Sequence, residues 1–318
     1  MNFDTFREFP KDIALTTSIL IITSTAFYFL LLALLNYTYE LLLLSNIIFV
    51  ILGLSMLALK GFRGNVIYHL IYMIVILSLA EEILLNSAFA LYGLALAFLG
   101  FILLPLTGAI FTNKGEDARV VLEVCGLLFA TRIVFSPFPL YSLISASFLP
   151  AIYTLIIVGI VFYLWFRRIP LARLGFKRGS VRLPFQILIG IVVGLIVGSI
   201  EYPILRPQPV IIGPSILHNV LYLVVTMMIF VGLTEEILFR GLLQNYMQGI
   251  MPRWQAVHLA SILFALFHIG WLNPLEVIFA YGAGVVFGYL LIKTDSLITP
   301  SLAHGIGNIT LYTVALIL

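Results

Sequence analysis

Glu235, Glu236, Arg240, His268, His304 and Asn308, all in the C-terminal part of the chain, have the types and spacings of a hydrolytic site. On a helix, neighbouring residues point about 100° apart, so Glu235 and Glu236 cannot both address one point. Glu236 and Arg240 are four residues apart and can pair on one face. That pairing removes the penalty of a lone buried charge and leaves Glu235 free to be the reactive carboxylate. His304 and Asn308 are also four apart and project together, beside the small residues Gly305 and Gly307. A carboxylate with two histidines can activate water as a general base, while His and Asn donors stabilise a tetrahedral oxyanion. The same Glu/His/His set would also permit a zinc ion held by three protein ligands.

Other hydrolytic chemistries lack their residues. The chain contains neither HExxH nor GxSxG. Its aspartates, Asp4, Asp12, Asp117 and Asp295, are terminal or in loops, so no intramembrane aspartyl dyad is available. Cys125 is the single cysteine, which excludes an internal disulfide and a thiolate metal cluster.

The elements that must carry these residues are membrane helices. Of 318 residues, 62% are apolar and 10% charged, against roughly 45–50% and about 25% in soluble domains. Mean hydropathy is +1.15. This composition excludes a soluble two-domain enzyme, a disordered chain, a disulfide scaffold and a nucleic-acid binder. The apolar runs are long and continuous, which specifies helices and not the alternating segments of a barrel. The expected fold is an all-α polytopic transmembrane bundle of about eleven spans: 13–36, 41–59, 65–84, 88–111, 119–136, 142–166, 184–205, 217–247, 254–271, 275–293 and 296–318.

Lys and Arg recur in alternate loops, which orients the N-terminus inside and the C-terminus outside. The start lacks the pattern of a cleaved signal peptide. The basic stretch 167–184 divides residues 1–168, an N-terminal helical region of unknown role, from a core at 169–318. Depth agrees with a shared site. Glu235 lies 18 residues before Arg253, and His268 lies 15 after it, about 22 Å at helical rise. His304 lies 11 beyond Lys293, about 16 Å. Gly190, Gly194 and Gly198, and Gly284 with Gly288, are expected to let helices pack closely. Glu81 and Glu82 are expected at an interface, Glu123 and Arg132 to pair between helices or to lie partly in the interface, and His258 in a structural role.

EEILFRG at 235–241 fits the pattern EExxxR, Phe264 and His268 fit FxxxH, and His304 with Asn308 fits HxxxN, in order on separate helices. In these motifs the chain resembles the CAAX protease and bacteriocin-processing (CPBP, Abi) family, which includes the Ras-converting CAAX endopeptidases. The resemblance covers about residues 170–318. It implies an intramembrane glutamic endopeptidase, multi-pass in the cell membrane and surrounded by lipid. Glu235 with His268 then activates water, His304 and Asn308 hold the oxyanion, and Glu236 and Arg240 are auxiliary. It implies no cofactor, with zinc the minority option, and a membrane-associated substrate: a CAAX-like or prenylated protein, or a C-terminal sorting tail. No nucleic-acid partner is implied, and the oligomeric state is left open. Two other classes use the same residues. In a proton-coupled transporter they would form a relay, although the inverted repeat of such proteins is missing. In a non-catalytic immunity or scaffold protein they would only maintain the fold.

Overall fold

A computed structural model describes residues 66–110, 115–135 and 149–318. The expected spans 13–36 and 41–59 lie outside the described residues, as does the start of 142–166. The described residues are helical, without strands, and their contacts divide the chain into two units at Leu96/Ala97. The helices are α1 (Val66–Leu85), α2 (Ala90–Ile110), α3 (Glu116–Phe135), α4 (Leu149–Arg167), α5 (Leu183–Leu205), α6 (Ile216–Met247), α7 (Arg253–Leu266), α8 (Pro274–Thr294) and α9 (Ile298–Ile317). Among the described residues, six helices or helical segments are long and apolar enough to cross a membrane: α2, α4, α5, α6, the stretch Arg253–Trp271 and α8. The protein is therefore an integral membrane protein. In α1, Glu81 and Glu82 are buried.

Local sequence sets the ends of the helices that carry polar residues. Ser215 caps α6 by accepting from the His218 amide. Asn273 caps α8 by accepting from the Leu275 amide, and Pro274 occupies the first helical position, where a missing N–H does no harm. Asn273 also donates to the Ile204 carbonyl at 2.9 Å, tying the start of α8 to the last turn of α5. The basic lead-in is fixed to the α8–α9 turn: Leu297 donates to the Gly175 carbonyl (2.9 Å), and Lys177 pairs with Asp295 (2.7 Å).

Two elements depart from the regular helices that periodicity predicts. The expected helix 254–271 ends at Leu266, and His268 sits in the following turn, before a 3-10 segment Ile269–Trp271. The chain must reverse into Pro274, and Leu272 adopts a left-handed conformation (φ 53°) to do so. Within α6, the backbone widens into π-helix over Thr226–Leu233 and Ile237–Gln244, leaving Glu235 and Glu236 in the short α-helical turn between. Departures of this kind concentrate at functional sites.

Helix α9 lies between α5 and α6, and glycines on both sides set the approach. On the α5 side, a Cβ at Gly190 or Gly194 would lie 2.7 Å from Leu302 Cβ or the Ala303 carbonyl, and one at Gly198 would strike the Gly307 carbonyl. On the α6 side, a Cβ at Gly232 would lie 2.8 Å from the Gly305 amide nitrogen. No hydrophobic driving force holds helices together in lipid, so this close packing is a main source of their association. Gly198→Val should therefore destabilise the protein by at least about 1–3 kcal/mol through overpacking. Gly159→Ala on α4, where a Cβ meets nothing within 4 Å, should be neutral. Thermal unfolding of both variants in detergent micelles measures the difference.

Candidate active site

The site is assembled around one buried ion pair. Arg240 and Glu236 have no accessible side-chain surface and pair at 2.9 Å, one turn apart on α6, as their spacing requires. A buried pair is tolerable only when its remaining polar atoms are also served. The Arg240 guanidinium also donates to the Gly284 carbonyl of α8 (3.1 Å). It lies over the rings of Phe264 and Phe287, 4.5 and 5.5 Å from their centroids. His304 of α9 brings Nδ1 to 2.9 Å from Glu236 Oε1. Its imidazole stacks on Phe287 (5.2 Å, 18°) and meets the edge of Phe264 (5.6 Å, 90°). Gly284 serves this cluster more than a bare helix contact, because a Cβ there would lie 3.2 Å from the Arg240 guanidinium. One turn on, Gln244 repeats the arrangement by donating to the Gly288 carbonyl (3.1 Å).

Glu235, next to the buried Glu236, points the other way. Its side chain keeps 20% of its surface accessible, which distinguishes it from the sealed Glu236. Oε1 accepts a 2.5 Å hydrogen bond from the Tyr153 hydroxyl of α4, and Oε2 lies 3.8 Å from His304 Nε2. That gap is too long for a direct hydrogen bond. Glu235, His268, His304 and Asn308 all line a cavity of about 100 Å³, room enough for several waters. His268 approaches the Phe264 carbonyl with Nδ1 at 3.0 Å. A carbonyl can only accept, so Nδ1 carries the proton and Nε2 keeps its lone pair. The i,i+4 relation of Phe264 and His268 thus fixes the tautomer. Among the described residues no three His, Cys, Asp or Glu side chains converge as a metal site. Nδ1 of His304 and an oxygen of Glu236 are already committed to each other.

All four sequence-predicted chemical residues meet at one cavity, and the two auxiliary residues lie behind it. Other wall residues carry no local signal in the motifs. Arg132 and Phe135 come from α3, Leu149 and Tyr153 from α4, and Glu201 from α5. Arg132 lies over the Phe267 ring (4.1 Å). Glu123 pairs between helices, with Arg167 of α4 (2.9 Å) and the Tyr163 hydroxyl (2.9 Å), and also binds Arg119 (2.7 Å) within α3. Glu201 is the carboxylate that sequence reading missed at this site. Its place inside an otherwise apolar span is a usable signal by itself, since ionisable residues at membrane depth are expensive and seldom idle. His258 bonds the Tyr281 hydroxyl (2.6 Å), in keeping with a structural role.

Arg240→Ala should destabilise the protein by about 3–5 kcal/mol, because it strands the Glu236 charge in the core. Unfolding of the variant in detergent, followed by circular dichroism, checks this; an unchanged midpoint would contradict the pairing.

Comparison with known proteins agrees with the motifs. Residues 217–310, which include Glu235, Glu236, Arg240, His268, His304 and Asn308, match the family model described as Rce1-like, type II CAAX prenyl endopeptidase Rce1-like. No curated protein and no solved structure matches the chain. Over residues 217–310, which supply much of the cavity wall, the chain is similar to that endopeptidase family.

Proposed function

We propose that the protein is an intramembrane endopeptidase that hydrolyses a peptide bond of a membrane-associated substrate by water activation, without a covalent intermediate. The observation that carries this reading is the pairing of one accessible carboxylate, Glu235, with one sealed carboxylate, Glu236, on adjacent residues. The sealed one organises the site, and the accessible one faces a polar cavity that also holds two histidines and an amide.

The geometry supports the following roles. Tyr153 holds Oε1 of Glu235, leaving Oε2 to take a proton from water. His268, with its Nε2 lone pair, shares that proton work. The hydroxide attacks the scissile carbonyl carbon. The oxyanion is then stabilised by Nε2–H of His304 and by the Asn308 amide. Nδ1 of His304 already faces Glu236, so an imidazole protonated on both nitrogens donates from Nδ1 to Glu236 and from Nε2 to the oxyanion. Low dielectric strengthens each of these interactions. In this reading the protein needs no cofactor; a chelator that abolished activity, restored by zinc, would overturn that part.

The substrate is a lipidated CAAX protein or a C-terminal sorting tail, entering from the bilayer with its scissile bond at the depth of Glu235. Among the alternatives, a proton relay explains the titratable groups but gives Asn308 no task, and a pure scaffold gives none to the accessible Glu235.

Two measurements test the reading. Glu235→Gln protein, purified from native membranes, should retain uncleaved peptides detectable by mass spectrometry. A bound ion or solute with no enriched peptide would favour transport. Asn308→Ala should lower kcat about 10²–10³-fold with a small change in KM, the magnitude for losing one oxyanion donor. An Asn308→Ala enzyme with wild-type kcat would remove that residue from the mechanism.

A further inference from the structure

Glu201 of α5 and Glu276 of α8 form a second pair of carboxyl groups that the water-activation mechanism does not use. Both are buried, Glu276 completely and Glu201 to 8% exposure. Both line one small cavity of about 20 Å³. Neither oxygen of Glu276 has a hydrogen-bond partner. Two carboxyls that face one small buried cavity cannot both ionise in a medium of low dielectric. The pair therefore retains a proton.

The fold builds this pair deliberately. The Asn273 bond to the Ile204 carbonyl clamps the start of α8 onto the end of α5, which brings Glu276 against Glu201. Glu201 lines the 100 Å³ cavity together with Glu235, His268, His304 and Asn308. A smaller adjoining cavity, about 20 Å³, is lined by both Glu201 and Glu276 and again by His268, His304 and Asn308. Glu201 and Glu235 come from helices packed on either side of α9. A carboxylate with donors at its oxygens and a carboxyl that retains a proton, in one cavity, have the division of labour of a base and an acid.

We infer that Glu201, backed by Glu276, is the general acid that protonates the leaving amine. This rests on the hydrolase reading above. As the C–N bond of the tetrahedral intermediate breaks, its electron pair stays on nitrogen and takes the proton from the Glu201 carboxyl. The pair is then left doubly ionised. The proton that Glu235 and His268 took from water passes back to it through the cavity, so that hydroxide ends on the acyl carbon and the proton on the amine. Glu201 is thus a catalytic residue, and Glu276, the second carboxyl of the pair, is a positioning residue.

Leaving-group dependence separates this role from a structural one. An amine cannot leave unprotonated, whereas an alcohol from an ester leaves with far less acid assistance. The probes are a farnesylated CAAX peptide carrying a fluorophore–quencher pair and its counterpart with an ester at the scissile bond, both in liposomes with the full chain. Glu201→Gln keeps the size and polarity of the side chain but has no acidic proton. It should lower kcat on the amide about 100-fold or more, with KM within about threefold and ester hydrolysis reduced less than about fivefold. If that variant does not fold, Glu201→Gln/Glu276→Gln, which carries no charge in the pair, should show the same split. Equal losses on amide and ester, or no loss on either, would overturn the acid role. Glu235→Gln should lose both reactions. Its activity on both probes, or a wild-type protein that cleaves neither, would instead overturn the peptidase reading on which the acid role rests.

Discussion

The buried contact of Arg240 with Glu236, extended to His304, is the constraint on which the site depends. An isolated charge at this depth would be prohibitive, and a pair is tolerable only if each partner is completed by further hydrogen bonds. Part of that completion comes from two other helices, the Gly284 carbonyl of α8 and the His304 imidazole of α9, while Glu236 Oε2 and Arg240 Nε have no hydrogen-bond partner. The demand of one arginine for partners thus fixes the mutual placement of α6, α8 and α9. The aromatic walls of Phe264 and Phe287 exclude water from this cluster and hold the His304 ring at a set angle. The reactive face of the cavity is organised from behind, by groups with no access to it.

Glycine is the second requirement, and it acts in two ways. Along α5 it allows the backbone of α9 to come near enough to carry His304 and Asn308 into position. Along α8 it exposes carbonyls, at Gly284 and Gly288, to the side chains of Arg240 and Gln244. Both uses serve polar chemistry in an apolar medium, where packing supplies what the hydrophobic effect supplies in water. The widened backbone of α6 on both sides of Glu235 and Glu236 belongs to the same design. It re-aims side chains without a break in the helix that would leave peptide groups unserved in lipid.

Much of this was legible in the residues. Four-residue spacing identified the Glu236–Arg240 pair and the joint projection of His304 and Asn308, because those relations are local to one helix. Continuous apolar runs located the described helices to within a few residues. Partners across helices were not legible. Nothing near Tyr153 announces that its hydroxyl reaches Glu235, 82 positions away, and nothing near Glu276 announces Glu201. The turn that carries His268 and the π-helical stretches of α6 also escaped, because hydrophobic period alone does not distinguish a helix from its last turn or its widened form. Burial expense was the one signal left unread: Glu201 and Glu276 stand inside apolar spans, where a carboxyl group needs a reason.

The central claim is that water, activated at Glu235, attacks the scissile carbonyl directly. The most direct test is cleavage of a membrane-reconstituted CAAX peptide in ¹⁸O-labelled water with a competing amine nucleophile present. The account predicts one labelled oxygen in the new carboxyl terminus and no product joined to the amine. Formation of the amine-joined product would reveal an acyl-enzyme and contradict it.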